Sequence, residues 1–203
     1  TNAVASNLLA RTGNKLHIKS RLLTIRNLLL IKPNQVFDSL LVKESERLMR
    51  SRSYITDVSI YVKATSINSD SVDIFIRELD KWSIIPEFGA STTKATFNLI
   101  DRNLLGLGNE SRNSFTWFHT NGDFAYNIKY TIPNIHNTYI NSTIHYGTDE
   151  FRNFIKSVSV DRPFFSPFAK WAAGVSFVNQ FRNDSVLSGN FVYENQGIEF
   201  NAQ

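Results

Sequence analysis

Apolar and polar residues alternate over long stretches of the second half of the chain. In residues 124–132, Phe124, Tyr126, Ile128, Tyr130 and Ile132 fall on one face of an extended chain, and Ala125, Asn127, Lys129 and Thr131 fall on the other. Successive side chains of a strand point to opposite sides, so one face is aromatic and the other small and polar. The pattern recurs. Phe115 and Trp117 oppose Ser114 and Thr116; Ile140, Ile144 and Tyr146 oppose Asn141, Thr143 and His145; Trp171, Ala173, Val175 and Phe177 oppose Lys170, Ala172, Gly174 and Ser176. From Trp82 onward the spacing predicts strands over 82–90, 92–104, 112–121, 124–134, 137–147, 150–161, 169–181 and 185–194, and no helix. Asn121-Gly122-Asp123 predicts a type I′ hairpin turn, which needs positive φ. Gly147–Glu150 and Arg182–Asp184 mark further turns.

The first part follows a different period. Residues 16–31 read as a strand-like opening, and Lys32–Gln35, with Pro33, as a turn. Phe37, Leu40, Leu41, Leu48 and, less regularly, Val42 and Met49 then recur at helical spacing, with Glu44, Glu46, Arg47 and Arg50 on the remaining faces. Two alternating stretches follow, with Val58, Ile60 and Val62 on one and Val72, Ile74 and Ile76 on the next, joined by a loop at Ser66–Asp70. The predicted order over 15–81 is strand, helix or two, strand, strand, with Leu40, Leu41, Leu48, Ile60 and Ile74 packed between helix and sheet.

Alternation alone fits a soluble β-sandwich with one polar face as well as a membrane barrel. Three features favour the barrel. The predicted strands exceed the ~5–6 residues usual in soluble proteins and match the ~9–11 that cross a membrane. Tyr126, Tyr130, Tyr139, Tyr146, Trp117 and Trp171 sit near strand ends or on the apolar face, as interfacial aromatic girdles do. The opposite face is small and mixed, as the lining of a wet lumen would be.

Composition narrows the chemistry. A chain of 203 residues with 42% hydrophobic and 20% charged residues is expected to fold. The absence of cysteine excludes disulfides, thiolate catalysis and Cys-ligated zinc. A net charge of +4 does not by itself argue for nucleic acid, and none is expected as a partner. No stretch approaches the ~18 apolar residues of a transmembrane helix. Residues 1–15 lack the charged start and apolar run of a signal peptide, so any export signal is expected outside this chain. His17, His119, His136 and His145 show no metal-ligand spacing, and Gly106–Gly108 lacks the Lys-Ser/Thr of a phosphate loop. Asp149 and Glu150 adjoin in a predicted turn, and Ser45 has no evident His partner. No active site, metal or cofactor is expected.

Thr24–Val62 resembles a POTRA (polypeptide-transport-associated) domain in the order of its Leu-rich stretch, Pro turn, aromatic residue and "ESERLMRSRSYITDV" helix running into a strand. "DRNLLGLGN" (Asp101 to Asn109) and "SVSVDRPFFSPFAKWAAGVSF" (Ser157 to Phe177) resemble barrel segments of the POTRA-domain outer-membrane β-barrel family, the bacterial surface antigen superfamily of barrel-assembly and two-partner secretion transporters. The resemblance implies an α+β POTRA domain at 15–81 followed, at 82–203, by an antiparallel transmembrane β-barrel segment of about half a barrel. The chain ends in "GIEFNAQ", without a terminal aromatic strand, and is expected to be a portion of a longer protein.

By the same resemblance the protein is a non-enzymatic component of the bacterial outer membrane, its POTRA domain in the periplasm, that inserts or translocates other proteins. Its partners would be client outer-membrane or secreted proteins, membrane lipid, and periplasmic or lipoprotein accessory subunits. Clients would pair by β-augmentation along Asp57, Val58, Ser59, Ile60, Tyr61 and Val62 of the POTRA unit, and along Trp82, Ser83, Ile84, Ile85, Pro86, Glu87 and Phe88 of the first barrel strand. Two alternatives remain: a transporter part whose upstream domain is a patatin-like lipase, and a soluble β-rich binding module.

Overall fold

The computed structural model describes residues 18–67, 70–185 and 192–202. It divides into two units, Thr1–Ile84 with Arg102–Gly108, and Ile85–Asp101 with Asn109–Gln203.

The first unit contains α1 (Leu22–Arg26), α2 (Ser39–Arg50), β1 (Ile55–Ala64) and β2 (Val72–Asp80). The turn expected at Lys32–Gln35 is present, with Asn34 in the left-handed region at φ 60°. The Asp38 carboxylate accepts the Leu40 N–H at 2.8 Å and so starts α2. Val42, Ser45, Leu48 and Met49 form its buried face, at the three- and four-residue spacing of a helix stripe. They join a core of Ile25, Leu28, Met49, Tyr54, Ile55 and Val58, with Leu29, Ile60 and Ile76 packed against it. Burying a side chain the size of Leu28 or Leu48 stabilises by about 1.5–3 kcal/mol. Buried Ser45 is satisfied on both sides: its hydroxyl accepts the Leu30 N–H and donates to the Leu41 carbonyl.

Two expectations fail here. The opening segment is not a strand over its described part: Leu22–Arg26 is a helix with Thr24 and Ile25 buried and Leu22 and Leu23 exposed. Apolar residues at 22, 23, 25 and 28–31, interrupted by Thr24, Arg26 and Asn27, fit no single period, so they conceal which turn of chain faces inward. Leu40 does not enter the core but is 60% exposed, because the stripe through Val42, Ser45 and Leu48 rotates it outward. Leu41 and Ile74 are half-buried.

β1 and β2 form an antiparallel hairpin in which Ile60 faces Ile76 and Val62 faces Ile74. The Thr65 N–H donates to the Ser71 carbonyl at its mouth; residues 68–69 of its loop lie outside the described residues. A bulge between Ile55 and Asp57 shifts the register.

The second sheet has eight strands, β3 (Ile84–Ala90), β4 (Lys94–Leu104), β5 (Asn109–Phe118), β6 (Phe124–Ile132), β7 (Asn141–Thr148), β8 (Phe154–Arg162), β9 (Ala173–Ser185) and β10 (Val192–Ala202). Each neighbours the next in sequence, so the order is a plain meander from β10 to β3 with one of these at each edge. The pairs from β5 to β10 are antiparallel.

Three turn expectations are corrected. The β5–β6 loop is not a two-residue type I′ turn. The Phe118 N–H donates to the Asp123 carbonyl across a four-residue loop in which Gly122 alone has positive φ, at 75°. Arg182–Asp184 is not a turn but lies inside β9, where Asn183 faces Glu194 and Asp184 faces Tyr193. The strand expected at 185–194 is displaced to 192–202, and residues 186–191 lie outside the described residues. The Gly147–Glu150 signal belongs to a turn centred two residues later, at 149–152. There the Asp149 carboxylate accepts from the N–H groups of Phe151 and Asn153.

Candidate functional site

In β5, β7, β8 and β9, apolar side chains are exposed beside half-buried neighbours, whereas in β6 Asn127 and Lys129 are exposed and Tyr126, Tyr130 and Ile132 half-buried. Phe115 and Trp117 of β5 are exposed while Ser114 and Thr116 are half-buried; Val158 and Val160 of β8 are exposed while Ser157 and Ser159 are half-buried. Ile144 of β7 is exposed between half-buried Thr143 and His145, and Phe177 of β9 between half-buried Ser176 and Val178. A soluble sandwich does the reverse, turning its apolar face to the core. A contiguous exposed apolar face of this kind marks contact with lipid or another protein.

The register shows how this face is laid out. Trp117 faces Phe124 and Phe115 faces Tyr126, near the start of β6. Toward the end of β6, Tyr130 shares a row with Ile144, Val158 and Phe177, and Ile132 a row with Ser142, Val160 and Val175. The apolar band therefore crosses the sheet diagonally. Strands tilted against a flat slab produce that layout, because a slab of constant height meets each successive strand at a shifted residue. Apart from Ser142, polar residues on the same face fall off the diagonal. Ser111 and Asn113 lie on one side, facing Tyr130 and Ile128, and Lys156 and Asn179 lie on the other, in the row of Tyr146. Aromatic rings gather beside Lys156: its ammonium stands 4.9 Å from the Phe154 ring centre and 5.6 Å from that of Tyr146, and Tyr126 packs against Tyr146 at 5.4 Å.

The opposite face is a lattice of short polar side chains. Thr131 meets Thr143 at 3.1 Å, Thr96 meets Thr116 at 3.2 Å, Asn127 meets His145 at 3.2 Å, and Asn141 donates to Asp161 at 3.0 Å. Gly147 is buried in this lattice, where a Cβ would come within 3.0 Å of the Asn127 carboxamide.

The strand edges are the other candidate feature. Ile84, Ile85, Pro86, Glu87 and Phe88 lie in β3, an edge of the eight-stranded sheet among the described residues. Pro86 has no N–H to offer, which an edge strand tolerates. Trp82 and Ser83 precede β3. The Trp82 indole donates to the Ile84 carbonyl, and buried Ser83 gives its carbonyl to the Arg102 N–H. Asp57, Val58, Ser59, Ile60, Tyr61 and Val62 lie in β1, whose side away from β2 carries no strand among the described residues. Part of that edge is occupied: Arg50 pairs with the Asp57 carboxylate at 3.1 Å and donates to the Val58 carbonyl. The more open margin belongs to β2. A groove of about 840 Å3 is lined by Ile74, Ile76 and Glu78 of β2 together with Ile25, Val36 and Leu41.

One feature had no local signal. The turn Arg102–Gly108 is built into the first unit. Asn103, 1% exposed, donates to the Ser20 hydroxyl and accepts the Gly108 N–H at 2.7 Å, and Ser20 in turn grips the Asp80 carboxylate with its N–H and hydroxyl. The Gly106 carbonyl accepts from the Arg21 N–H and the Thr24 hydroxyl. The glycines of "DRNLLGLGN" thus serve close approach as well as turning: Gly106 and Gly108 have φ of 74° and 72°.

Among the described residues no three His, Cys, Asp or Glu side chains could hold a metal ion, and no helix is long and apolar enough to cross a membrane. An α+β unit with a helix on a strand hairpin, followed by an open antiparallel meander, has the fold of a POTRA-like region and a partial, open β-sheet consistent with about half a barrel. The chain is similar to a solved structure, that of BamA from Haemophilus ducreyi lacking POTRA domains 1–3, with a TM-score of 0.50 and 16% identity over 94% of this chain and 41% of that chain. The chain therefore spans less than half the length of that protein. No family model and no curated protein matches it.

Proposed function

We propose that the chain is part of an outer-membrane protein that inserts or translocates other proteins, with the POTRA unit in the periplasm and the eight-stranded sheet in the bilayer. The observation that carries the membrane assignment is the exposure of Phe115, Trp117, Ile144, Val158 and Phe177 beside half-buried Ser and Thr neighbours. Water makes that arrangement costly, at about 25 cal/mol per Å2 of apolar surface, and lipid makes it favourable.

The transport reading is supported by the edges. Lipid does not tolerate unpaired backbone, so β3 and β10 must each meet another strand. An edge that accepts a strand through its main chain accepts many sequences, which suits varied clients. In β3 the pairing stretch is Ile85–Phe88, beyond the carbonyl that Trp82 occupies. Cysteines placed singly at Ile84, Ile85, Glu87 and Phe88 in the full-length protein should cross-link to a client strand or to the barrel's closing strand, with alternate positions favoured. Cross-links to neither at all four positions would leave β3 a passive wall and the transport role without its mechanism.

A further inference from the structure

Two loops, 133–140 and 163–172, lie at the end of the sheet where β3 begins, and they fold on each other. Tyr139 is 5% exposed and sits in the left-handed region at φ 60°, which a bulky side chain rarely adopts. Its ring stacks on Phe165 with centres 3.7 Å apart and planes within 5°, and its N–H donates to the Asn134 carboxamide at 2.8 Å. A conformation of this kind persists only where its surroundings over-determine it, and it clusters at functional sites.

What the loops hold is Arg162. Its Nε donates to the Thr138 carbonyl at 2.9 Å, and a terminal nitrogen donates to the Trp171 carbonyl. The guanidinium carbon lies 4.1 Å from the Trp171 ring centre and 4.8 Å from that of Phe165. These partners fix the group but none neutralises it: Arg162 makes no ion pair among the described residues. A guanidinium has five N–H donors in a planar fork suited to phosphate, and two are engaged here. Beside it is a hollow of about 270 Å3, lined by Ile140, Val160, Trp171, Ala173 and Val175, and also by Asp161, whose carboxylate accepts from Asn141 at 3.0 Å. Arg162 faces Ala173 on the same side of the sheet as Val158 and Val160, so the hollow is continuous with the apolar band. Phe164 and Phe168, in the same loop, are exposed.

We propose that Arg162 and this hollow form a binding site for an anionic phospholipid, its phosphate on the guanidinium fork and an acyl chain against Val160 and Val175. The site rests on the lipid-facing reading of the band. An uncompensated cation at the edge of an apolar face selects a ligand that is anionic at one end and apolar at the other. Soluble phosphate would leave the hollow unfilled, and a zwitterionic lipid would bring a second cation to Arg162. The rigid Tyr139–Phe165 stack places the fork before the lipid arrives, which lowers the ordering cost of binding.

The test uses tryptophan quenching by phospholipids brominated in the acyl chain. The full-length protein, with Trp82, Trp117 and any tryptophan outside these residues changed to Phe so that Trp171 reports alone, is reconstituted in phosphatidylcholine vesicles containing brominated phosphatidylglycerol or brominated phosphatidylcholine. Trp171 should be quenched by the glycerol lipid with about a fivefold preference, the scale of one basic residue at an anionic surface. Arg162→Gln should bring the preference close to one. Ala173→Phe, which fills the hollow while leaving the guanidinium's carbonyl acceptors in place, should lower it as well and guards against misfolding of the first variant. A companion protein reporting from Trp117 alone should be quenched by both lipids equally. Equal quenching of Trp171 by the two lipids, or a preference that survives both substitutions, overturns the site and leaves the lipid-facing band standing. Quenching of neither tryptophan by either lipid overturns the band itself and the site with it.

Discussion

The guanidinium of Arg50, the last residue of α2, donates to the main-chain carbonyl of Val58 in β1. It also pairs with Glu46 one helical turn back and with Asp57, so it is held over the outer margin of the strand by three acceptors. Any strand pairing with β1 at Val58 must displace it. Arg50→Ala should therefore raise the yield of cross-links between a cysteine at Ser59 and a client segment. Its stability cost should stay near 0–1 kcal/mol, since these ion pairs are solvated. Leu48→Ala, two residues away and 3% exposed in the parent, should cost about 2–5 kcal/mol and render the first unit sensitive to protease. Urea unfolding and limited proteolysis separate the two; an unchanged cross-link yield in Arg50→Ala would show that β1 is not a docking edge.

Gly106 offers a sharper contrast. A Cβ there would stand 2.4 Å from the Lys19 carbonyl, and the backbone is at φ 74°. Gly122 has nearly the same φ, 75°, but open space around it, and Gly89 has open space without a positive φ. Alanine should cost about 1 kcal/mol at Gly122, from the left-handed backbone alone. At Gly89 it should cost nothing measurable. At Gly106 the steric clash adds to the backbone term, and the turn must leave its socket, with loss of the bonds from Arg21 and Thr24. Thermal unfolding of the three variants should rank them Gly106, Gly122, Gly89 in decreasing damage.

That socket was the least legible part of the molecule in sequence. Asn103 and Ser20 are 83 residues apart, and nothing near either one signals the other. The glycines of "DRNLLGLGN" read as turn residues, which they are, but the close approach to Lys19 is a tertiary fact. Period-2 alternation, by contrast, was legible in β5 to β9, because each strand of a one-layer sheet faces two uniform environments. Which face met which environment was left open by alternation, and it is exposure, such as that of Phe115, Ile144 and Val158 beside half-buried neighbours, that favours an apolar surrounding for the apolar face. α1 was hidden for the opposite reason: with leucines at 22, 23, 28, 29 and 30, the burial of Ile25 and Leu28 depends on the core they meet.

Glu78 predicts a pH effect. It lies on β2, with one carboxylate oxygen buried and unpartnered. Burial, the charge of Asp80 and a hydrogen bond with Asp80 hold its carboxyl above the ordinary value of 4.5, against a smaller opposing pull from Lys19. An acid whose folded pKa is raised binds its proton more tightly folded than unfolded, so its contribution to stability falls as pH rises from 4.5 through the raised value, and is flat above it. Glu78→Gln removes the cost of ionisation. The variant should be more stable than the parent at pH 7, and the difference should shrink toward zero as pH falls below 4.5. Urea midpoints measured from pH 4 to pH 8 check the sign; a variant less stable at pH 7 would show that the ionised carboxylate is satisfied.

The two faces of β6 make opposite predictions for the same new charge. Ile128 lies on the apolar side, in the row of Tyr146 and Lys156; Asn127, its neighbour, lies on the polar side against Gly147 and His145. In a bilayer, Ile128→Arg brings a guanidinium to the lipid face at a cost of about 2–4 kcal/mol near the midplane, less toward the interface. The neighbouring Lys156 sets how much less, since it already marks where the band ends and its side chain can reach water along the ring of Tyr146. Tyr130, two residues on, sits in the apolar row of Ile144, Val158 and Phe177, which under the bilayer reading makes it the deeper position. Arginine should accordingly impair heat-resistant barrel formation most at Tyr130, less at Ile128 and least at Asn127, read by the gel mobility of unheated samples of the full-length protein. In a soluble sandwich whose apolar face is covered by another domain, depth would follow that domain's footprint rather than the diagonal. Equal damage at Ile128 and Asn127, or greater damage at Asn127, would therefore count against a lipid environment for this sheet.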